Sequence, residues 1–256
     1  KKKTSQKNRL VRYKFLCTQN NKKKKIKSIL QALENTSDRF SNYQGFPEII
    51  LKRIPELRNA KYIKKQIDLD DQRFKWLKNN LNLEINRVID IGANLGFFSL
   101  LLASNNILVD AYEPYSECNK ILKDVSQILK LNGNLKIFQE NINISKLDNL
   151  PIYDLAINLN ILHHAGIFFD TKTYKNYNDW FDFVNEYLFK LHKKSKYLFF
   201  QVGNTANGEA IFNSDEVLKI MNTIFSKSGW EVIKIGIIED LNKLEYKNYL
   251  NKNLDS

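Results

Sequence analysis

The sequence predicts an α/β fold, a doubly wound and mostly parallel sheet preceded by an N-terminal helical extension. Three observations carry that expectation. From Arg87 onward, strand-like and helix-like segments alternate at the spacing of βαβ units. The run Tyr197-Leu-Phe-Phe200 is continuously apolar, as strands buried on both faces are. Between the first strand and the helix behind it lies the glycine-bearing turn Asp90-Ile-Gly92-Ala-Asn94-Leu-Gly96, at the place where open parallel sheets bind ligands.

In chain order, residues 1–27 hold Lys1-Lys-Lys3 and Lys22-Lys-Lys-Lys25 without an acidic residue, so part of this stretch is expected to be solvated. Ile29, Leu30 and Leu33 are spaced for a short helix from Lys27 to Leu33. Phe40 to Pro47 reads as a turn punctuated by Gly45 and Pro47. Helical patterns follow from Glu48 to Asn59, broken at Pro55, and from Asp70 to Leu81, with Asp70 and Asp71 at the positive end of the second helix. Strands are expected at Arg87–Ile91, Ile107–Tyr112, Leu135–Phe138, Tyr153–Leu159, Tyr197–Val202 and Trp230–Ile238. The helices between them are expected at Gly96–Ser104, Ser116–Leu131, Tyr177–Lys193 and Ser214–Ser228. The last has Asn213 as N-cap, Glu216 three residues on, and Gly229 just past its end. The expected organisation is a basic helical extension or lid over residues 1–80 and a ligand-binding domain over residues 81–256.

Composition narrows the function classes. No apolar run approaches the roughly 20 residues that span a bilayer, so no integral membrane segment is expected. A secretory leader needs an apolar stretch behind its basic start, and Arg9, Arg12 and Lys14 interrupt each candidate; the chain begins at Lys1, which leaves the native start open. Cys17 and Cys118 stand apart, in no spacing that holds zinc or a disulfide framework, which fits a cytoplasmic protein with a half-buried thiol at Cys118. The net charge of +12 lies in the first third: residues 1–80 hold 22 Lys and Arg against 7 Asp and Glu, while the rest holds 18 against 21. Such asymmetry suits a nucleic-acid or anionic-membrane contact through residues 1–80, or simply a lysine-rich solvated surface.

The chemistry sits in the glycine turn and the strand after it. Gly92 and Gly96 let the backbone pass close to a ligand, and Asn94 is among the few other residues that tolerate positive φ. The helix behind Gly96 would present free amide groups to that ligand. Twenty-three residues after Asp90, the segment Asp110-Ala-Tyr-Glu113-Pro114 places an acid at the end of the next strand, where a carboxylate can accept both ribose hydroxyls of a nucleoside cofactor.

These residues resemble the class I S-adenosylmethionine (SAM)-dependent methyltransferases, whose first motif is hydrophobic-x-Asp-x-Gly-x-Gly-x-Gly. The form Gly-Ala-Asn-x-Gly, with Phe97-Phe98-Ser99 behind it and Tyr112-Glu113-Pro114 later, is most similar to the FkbM-type branch of O-methyltransferases, and Asn94 stands where the general pattern has its middle glycine. The resemblance implies a seven-stranded sheet and SAM as cofactor; because the sulfonium already activates the methyl, no metal is expected. It also implies that Asp90 and the backbone near Gly92, Asn94 and Gly96 hold the methionine end. Glu113 would hold the ribose, Tyr115 would lie against adenine, and Asn141, or less favourably Glu140, would stand near the adenine amine. A dinucleotide site would carry a glycine at position 97, which is Phe, and no Gly-Lys-Ser/Thr occurs for a P-loop.

The fourth strand runs into Asn158-Leu-Asn160-Ile-Leu-His163-His164, similar to the Leu-His-His segment of many small-molecule methyltransferases. An imidazole there could take the proton of an attacking hydroxyl; the competing reading packs one histidine under the cofactor and leaves the other to cap a turn. His192 reads as a solvated helix end. The aromatics Tyr174, Tyr177, Trp180, Phe181 and Phe183 line a cleft or, at helical spacing, belong to the core. The polar loop Gln201–Gly208 is placed to hydrogen-bond a hydroxylated substrate. Neither an Asn/Asp-Pro-Pro-Tyr/Phe segment for base amines nor a cysteine for pyrimidine C5 chemistry is present at the site. The leading expectation is therefore methyl transfer to oxygen on a small-molecule or glycan acceptor. RNA methylation with residues 1–80 as a phosphate-tracking arm, and a SAM-binding module without turnover, are the rivals. Acceptor and oligomeric state are not written in the sequence.

Overall fold

The computed structural model describes residues 20–34, 44–60, 67–81, 84–166, 168–171, 177–203, 205–206, 209–210, 217–238 and 245–249. Helix α1 occupies residues 20–34, longer at its start than its apolar spacing suggests. Ile26, Ile29 and Leu33 point into the core while Lys22, Lys23, Lys24 and Lys27 stay exposed. Helix α2 (Glu48–Arg53) gives way at Pro55 to a 3-10 turn (Pro55–Asn59), as a proline inside a helical pattern requires. Helix α3 (Ile67–Asn80) starts three residues before its expected position. Asp70 is therefore inside the helix and buried, where it accepts Arg73 Nη1–H at 2.9 Å.

Then come β1 (Arg87–Ile91), α4 (Phe97–Ser104), β2 (Leu108–Tyr112), α5 (Ser116–Leu129), β3 (Leu135–Phe138), a short helix α6 (Ile144–Leu147), β4 (Tyr153–Leu159), α7 (Tyr177–His192) and β5 (Ser195–Gln201). The five strands form one parallel sheet in the order β3-β2-β1-β4-β5. The order reverses between β1 and β4, so their carboxyl ends form the switch point of a doubly wound sheet, the place where such sheets bind ligands. Successive side chains alternate between two cores. Val88, Val109, Leu155 and Ile157 face α1, α2, α4 and α5, whereas Ile89, Ile91, Tyr112 and Ala156 face α6, α7 and α8 (Val217–Lys227).

The sheet has five strands rather than seven among the described residues. Of the expected sixth strand only β8 (Gly236–Ile238) forms, and it pairs antiparallel with β9 (Tyr246–Asn248) in a separate ribbon. The reason lies at its start. Trp230 Nε1–H donates to the Leu188 carbonyl of α7 at 2.9 Å and its ring meets His192 edge-on, so the chain is held on α7 instead of beside β5. Strand β5 consequently ends the sheet, and Tyr197 to Phe200 are half-buried, not enclosed on both faces. A shorter ribbon, made of the two-residue strands β6 (Thr205–Ala206) and β7 (Glu209–Ala210), follows it in the chain.

Helix α8 closes as expected: Gly229 has φ +82°, its N–H reaches Ser226 O, and Trp230 N–H reaches Phe225 O, the two bonds of a Schellman end. Its proposed cap Asn213 and Glu216 lie outside the described residues, as do Cys17, Tyr174, Asn204, Asn207 and Gly208.

Candidate active site

The turn from β1 to α4 is tied to its neighbours on every side. Gly92 and Ala93 both donate their N–H to the Tyr112 carbonyl, at 2.8 and 3.0 Å, which fixes the turn to the end of β2. Gly92 and Gly96 have φ of +76° and +82°, and Asn94 has φ +52°, the conformations the sequence demanded of them. What the glycines approach, however, is protein: a Cβ on Gly92 would stand 2.0 Å from Ile161 Cδ1, and one on Gly96 2.2 Å from Leu122 Cδ1.

Asp90 lies beneath this turn, 3% exposed. Its Oδ2 accepts the Ser99 hydroxyl at 2.5 Å, which ties the first turn of α4 to the end of β1. Burial pushes its pKa up to about 6 against the lowering by Ser99. The first amide of α4, Phe97 N–H, points at Gln44 Oε1, 3.4 Å away. The helix start therefore offers fewer free amides than expected. Gln44 was hidden from sequence reasoning because it is 53 residues from its partner; its only signal was its place in the turn before Pro47.

Glu113 is the centre of the arrangement. It is 6% exposed, and its two oxygens accept the Asn94 and Tyr115 N–H groups, each at 2.8 Å. One carboxylate thus joins the turn after β1 to the turn after β2. Burial raises its pKa, and the two amides oppose that rise. Asn119, which sequence reasoning passed over, holds the same corner by donating to the Glu113 and Phe138 carbonyls at 3.1 and 3.0 Å. The Tyr115 side chain is exposed.

A second group forms at the ends of β4 and β5. Leu162–His164 make a 3-10 turn, held from below by buried Trp180, whose Nε1–H donates to Leu162 O at 3.0 Å. Trp180 and Phe183 are core residues. The rings of His163 and His164 lie 3.9 Å apart. Desolvation lowers both pKa values, His163 to about 4 with a further lowering from His164. Gly203, just after β5, donates its N–H to His163 Nδ1 at 3.2 Å. Asn141 follows β3 and donates to the Phe168 carbonyl at 3.5 Å, which places it beside the histidine turn's continuation. Glu140 is taken by Lys146. The structure thus brings Asn94, Glu113 and Tyr115 into direct contact, links Asp90 to Ser99, and joins the two groups where Ile161 packs on Gly92.

Asn158 is fully buried in β4, in register with Ile91 and Phe200, and neither its Oδ1 nor its Nδ2 has a hydrogen-bond partner among the described residues. Among the described residues no cluster of three His, Cys, Asp or Glu side chains could hold a metal ion, and no helix is long and apolar enough to cross a membrane.

No protein-family model matches the chain, and no curated protein does. Solved structures similar to it include the bifunctional kinase-methyltransferase WbdD, 21% identical over 65% of this chain with TM-score 0.44. The StiE O-MT, residues 942–1257, is 16% identical, covers 78% of this chain and 67% of its own, and has TM-score 0.45. The N-terminal domain of EvdMO1, crystallised with SAH and D-fucose, is 13% identical over 52% of this chain and 49% of its own, with TM-score 0.36. The chain spans 33% of the length of the WbdD chain it matches. All three scores lie below 0.5, so the activities in those names remain properties of those proteins.

Proposed function

We propose that the chain is a SAM-dependent methyltransferase that transfers a methyl group to an oxygen of a small-molecule or saccharide-like acceptor. The observation that carries this reading is Glu113, buried at the switch point and bound to the backbone of two consecutive strand-to-helix turns. Each carboxylate oxygen has one lone pair committed to an amide and one left over, so the group suits two vicinal hydroxyls of a ribose. Exposed Tyr115 beside it offers an aromatic face to a base.

SAM supplies a methyl already activated by the sulfonium charge. The chain's own work is then alignment, exclusion of water and removal of a proton. Glu113, Tyr115, Asn141 and the Gly92–Gly96 turn would hold the cofactor, with Asp90 keeping the turn in shape through Ser99. His163 and His164, at the carboxyl ends of β4 and β5, would take the proton of an acceptor hydroxyl.

Calorimetry with SAM and with NAD tests the cofactor: binding of SAM and not NAD is expected, and the reverse overturns the reading. Glu113→Ala is expected to weaken SAM binding at least tenfold; full affinity in that variant would remove the ribose assignment. Labelled SAM incubated with fractionated host extract should place label in small molecules or glycans. Label in RNA would favour the second reading, for which the exposed Lys22, Lys23, Lys24 and Lys27 on α1 provide a basic face. RNA affinity falling steeply with salt would accompany it.

A further inference from the structure

The two adjacent histidines differ in what already holds them. His163 Nδ1 accepts the Gly203 backbone N–H. A backbone amide can only donate, so in the neutral imidazole this nitrogen carries no proton and the ring proton sits on Nε2. The ring also lies flat on the glycine: a Cβ at position 203 would stand 3.0 Å from both Cε1 and Nε2. His163 is thus fixed in place and in tautomer by the loop behind β5. To accept a proton at Nδ1 it would have to give up the Gly203 bond. To accept one at Nε2 it would first have to move its own proton to Nδ1, against the amide. His164 carries no such commitment. Its ring lies 3.9 Å from that of His163 at a tilt of 44° and meets Phe168 edge-on at 5.3 Å, and among the described residues neither of its ring nitrogens makes a hydrogen bond.

Resting on the methyltransferase reading, we infer that the pair divides its labour: His164 is the base that takes the acceptor's proton, and His163 is a positioning residue, a neutral Nε2–H imidazole locked by Gly203 against which His164 is held. In the step this serves, the acceptor O–H proton passes to a ring nitrogen of His164, and the oxygen pair forms the new C–O bond to the methyl of the sulfonium donor. The C–S bond breaks with its electrons to sulfur, which leaves a neutral thioether. The positive charge of the sulfonium reappears on His164. Among the described residues no acidic or basic side chain besides the neighbouring imidazole acts on either ring. A second charge on His163 would be opposed by the first, which keeps the positioning ring neutral while the base is protonated.

Long-range proton–nitrogen NMR on the full chain, labelled with nitrogen-15 and assigned with His163→Gln and His164→Gln, reads this without cofactor or acceptor. His163 is expected in the Nε2–H form from about pH 5 to 8, with His164 gaining its proton at the higher pH of the two. An Nδ1–H tautomer at His163, or His163 protonating at higher pH than His164, overturns the assignment. A Gly203→Ala variant, which crowds the ring, is expected to disturb the His163 signals more than those of His164. In the extract fraction that takes label from SAM, His164→Gln should lose at least about 100-fold in rate and flatten the acid limb of its pH profile. His163→Gln should lose less and keep that limb; the opposite order sinks the division. The NMR arm needs no SAM, so its failure is distinguishable from a failure of SAM to bind in calorimetry.

Discussion

Asp90 shows how one buried carboxyl sets a pH dependence. Its folded pKa, about 6, stands above the ordinary carboxylate value of 3.8 because desolvation outweighs the lowering by Ser99. The folded state therefore binds the proton more tightly than the unfolded chain. The resulting stability is fully present below about pH 4 and is lost as pH rises through 6. A shift of this size corresponds to at most about 3 kcal/mol. Asp90→Asn, which mimics the protonated group, should be more stable than the parent at pH 7.5 by about 1–3 kcal/mol, with the gap closing at pH 4. Urea denaturation across that range checks it, and a gap that widens toward acid would show that the carboxylate form is the favoured one. Asn158 poses a related question. Leaving a primary amide buried and unpaired costs roughly 1–3 kcal/mol, and its neighbours in register are Ile91 and Phe200. Asn158→Leu is expected to gain about 1 kcal/mol in the ligand-free chain by denaturant titration. A loss of that size would mean that the amide has a partner, such as an enclosed water.

At the scale of the element, the turn between β1 and α4 was legible because its constraints are local. Positive φ at Gly92, Asn94 and Gly96 follows from residue type at fixed spacing, and Glu113 follows from the strand after it. What could not be read were the partners brought in by topology. Gln44 over Phe97, Ile161 on Gly92 and Gly203 on His163 each join residues 40 or more positions apart. Single-chain periodicity holds no trace of such pairs. Ile161 also changes what Gly92 is for, since the close approach there is to a side chain of the histidine turn. Gly92→Ala should lose about 2–4 kcal/mol, from the collision with Ile161 and from the left-handed backbone. Adding Ile161→Ala removes the collision and leaves the backbone strain, so the two losses should be clearly less than additive. Additive losses in a double-mutant cycle would show that Ile161 does not pack on this turn.

For the whole molecule, alternation of strand and helix was enough to give the parallel sheet, because buried strands and amphipathic helices write their periods directly into the chain. The count of strands was not, because Trp230 is drawn onto α7 by a bond to a distant carbonyl. The basic N-terminal third was also only half legible: its charge was visible, but its anchoring is apolar. Ile26, Ile29 and Leu33 of α1 are 5%, 1% and 0% exposed and belong to the same core as Val88, Leu100 and Ile121. Lys25, by contrast, meets Asp124 at 3.7 Å on the surface, where an ion pair contributes at most about 1 kcal/mol. Removing a buried isoleucine to alanine costs about 2–5 kcal/mol, a large share of the roughly 5–15 kcal/mol that hold a domain together. Ile29→Ala should therefore lower the denaturation midpoint strongly while Lys25→Ala leaves it nearly unchanged. The reverse ranking would mean that α1 is attached by charge, and a lid that lifts with salt would then replace a helix built into the core.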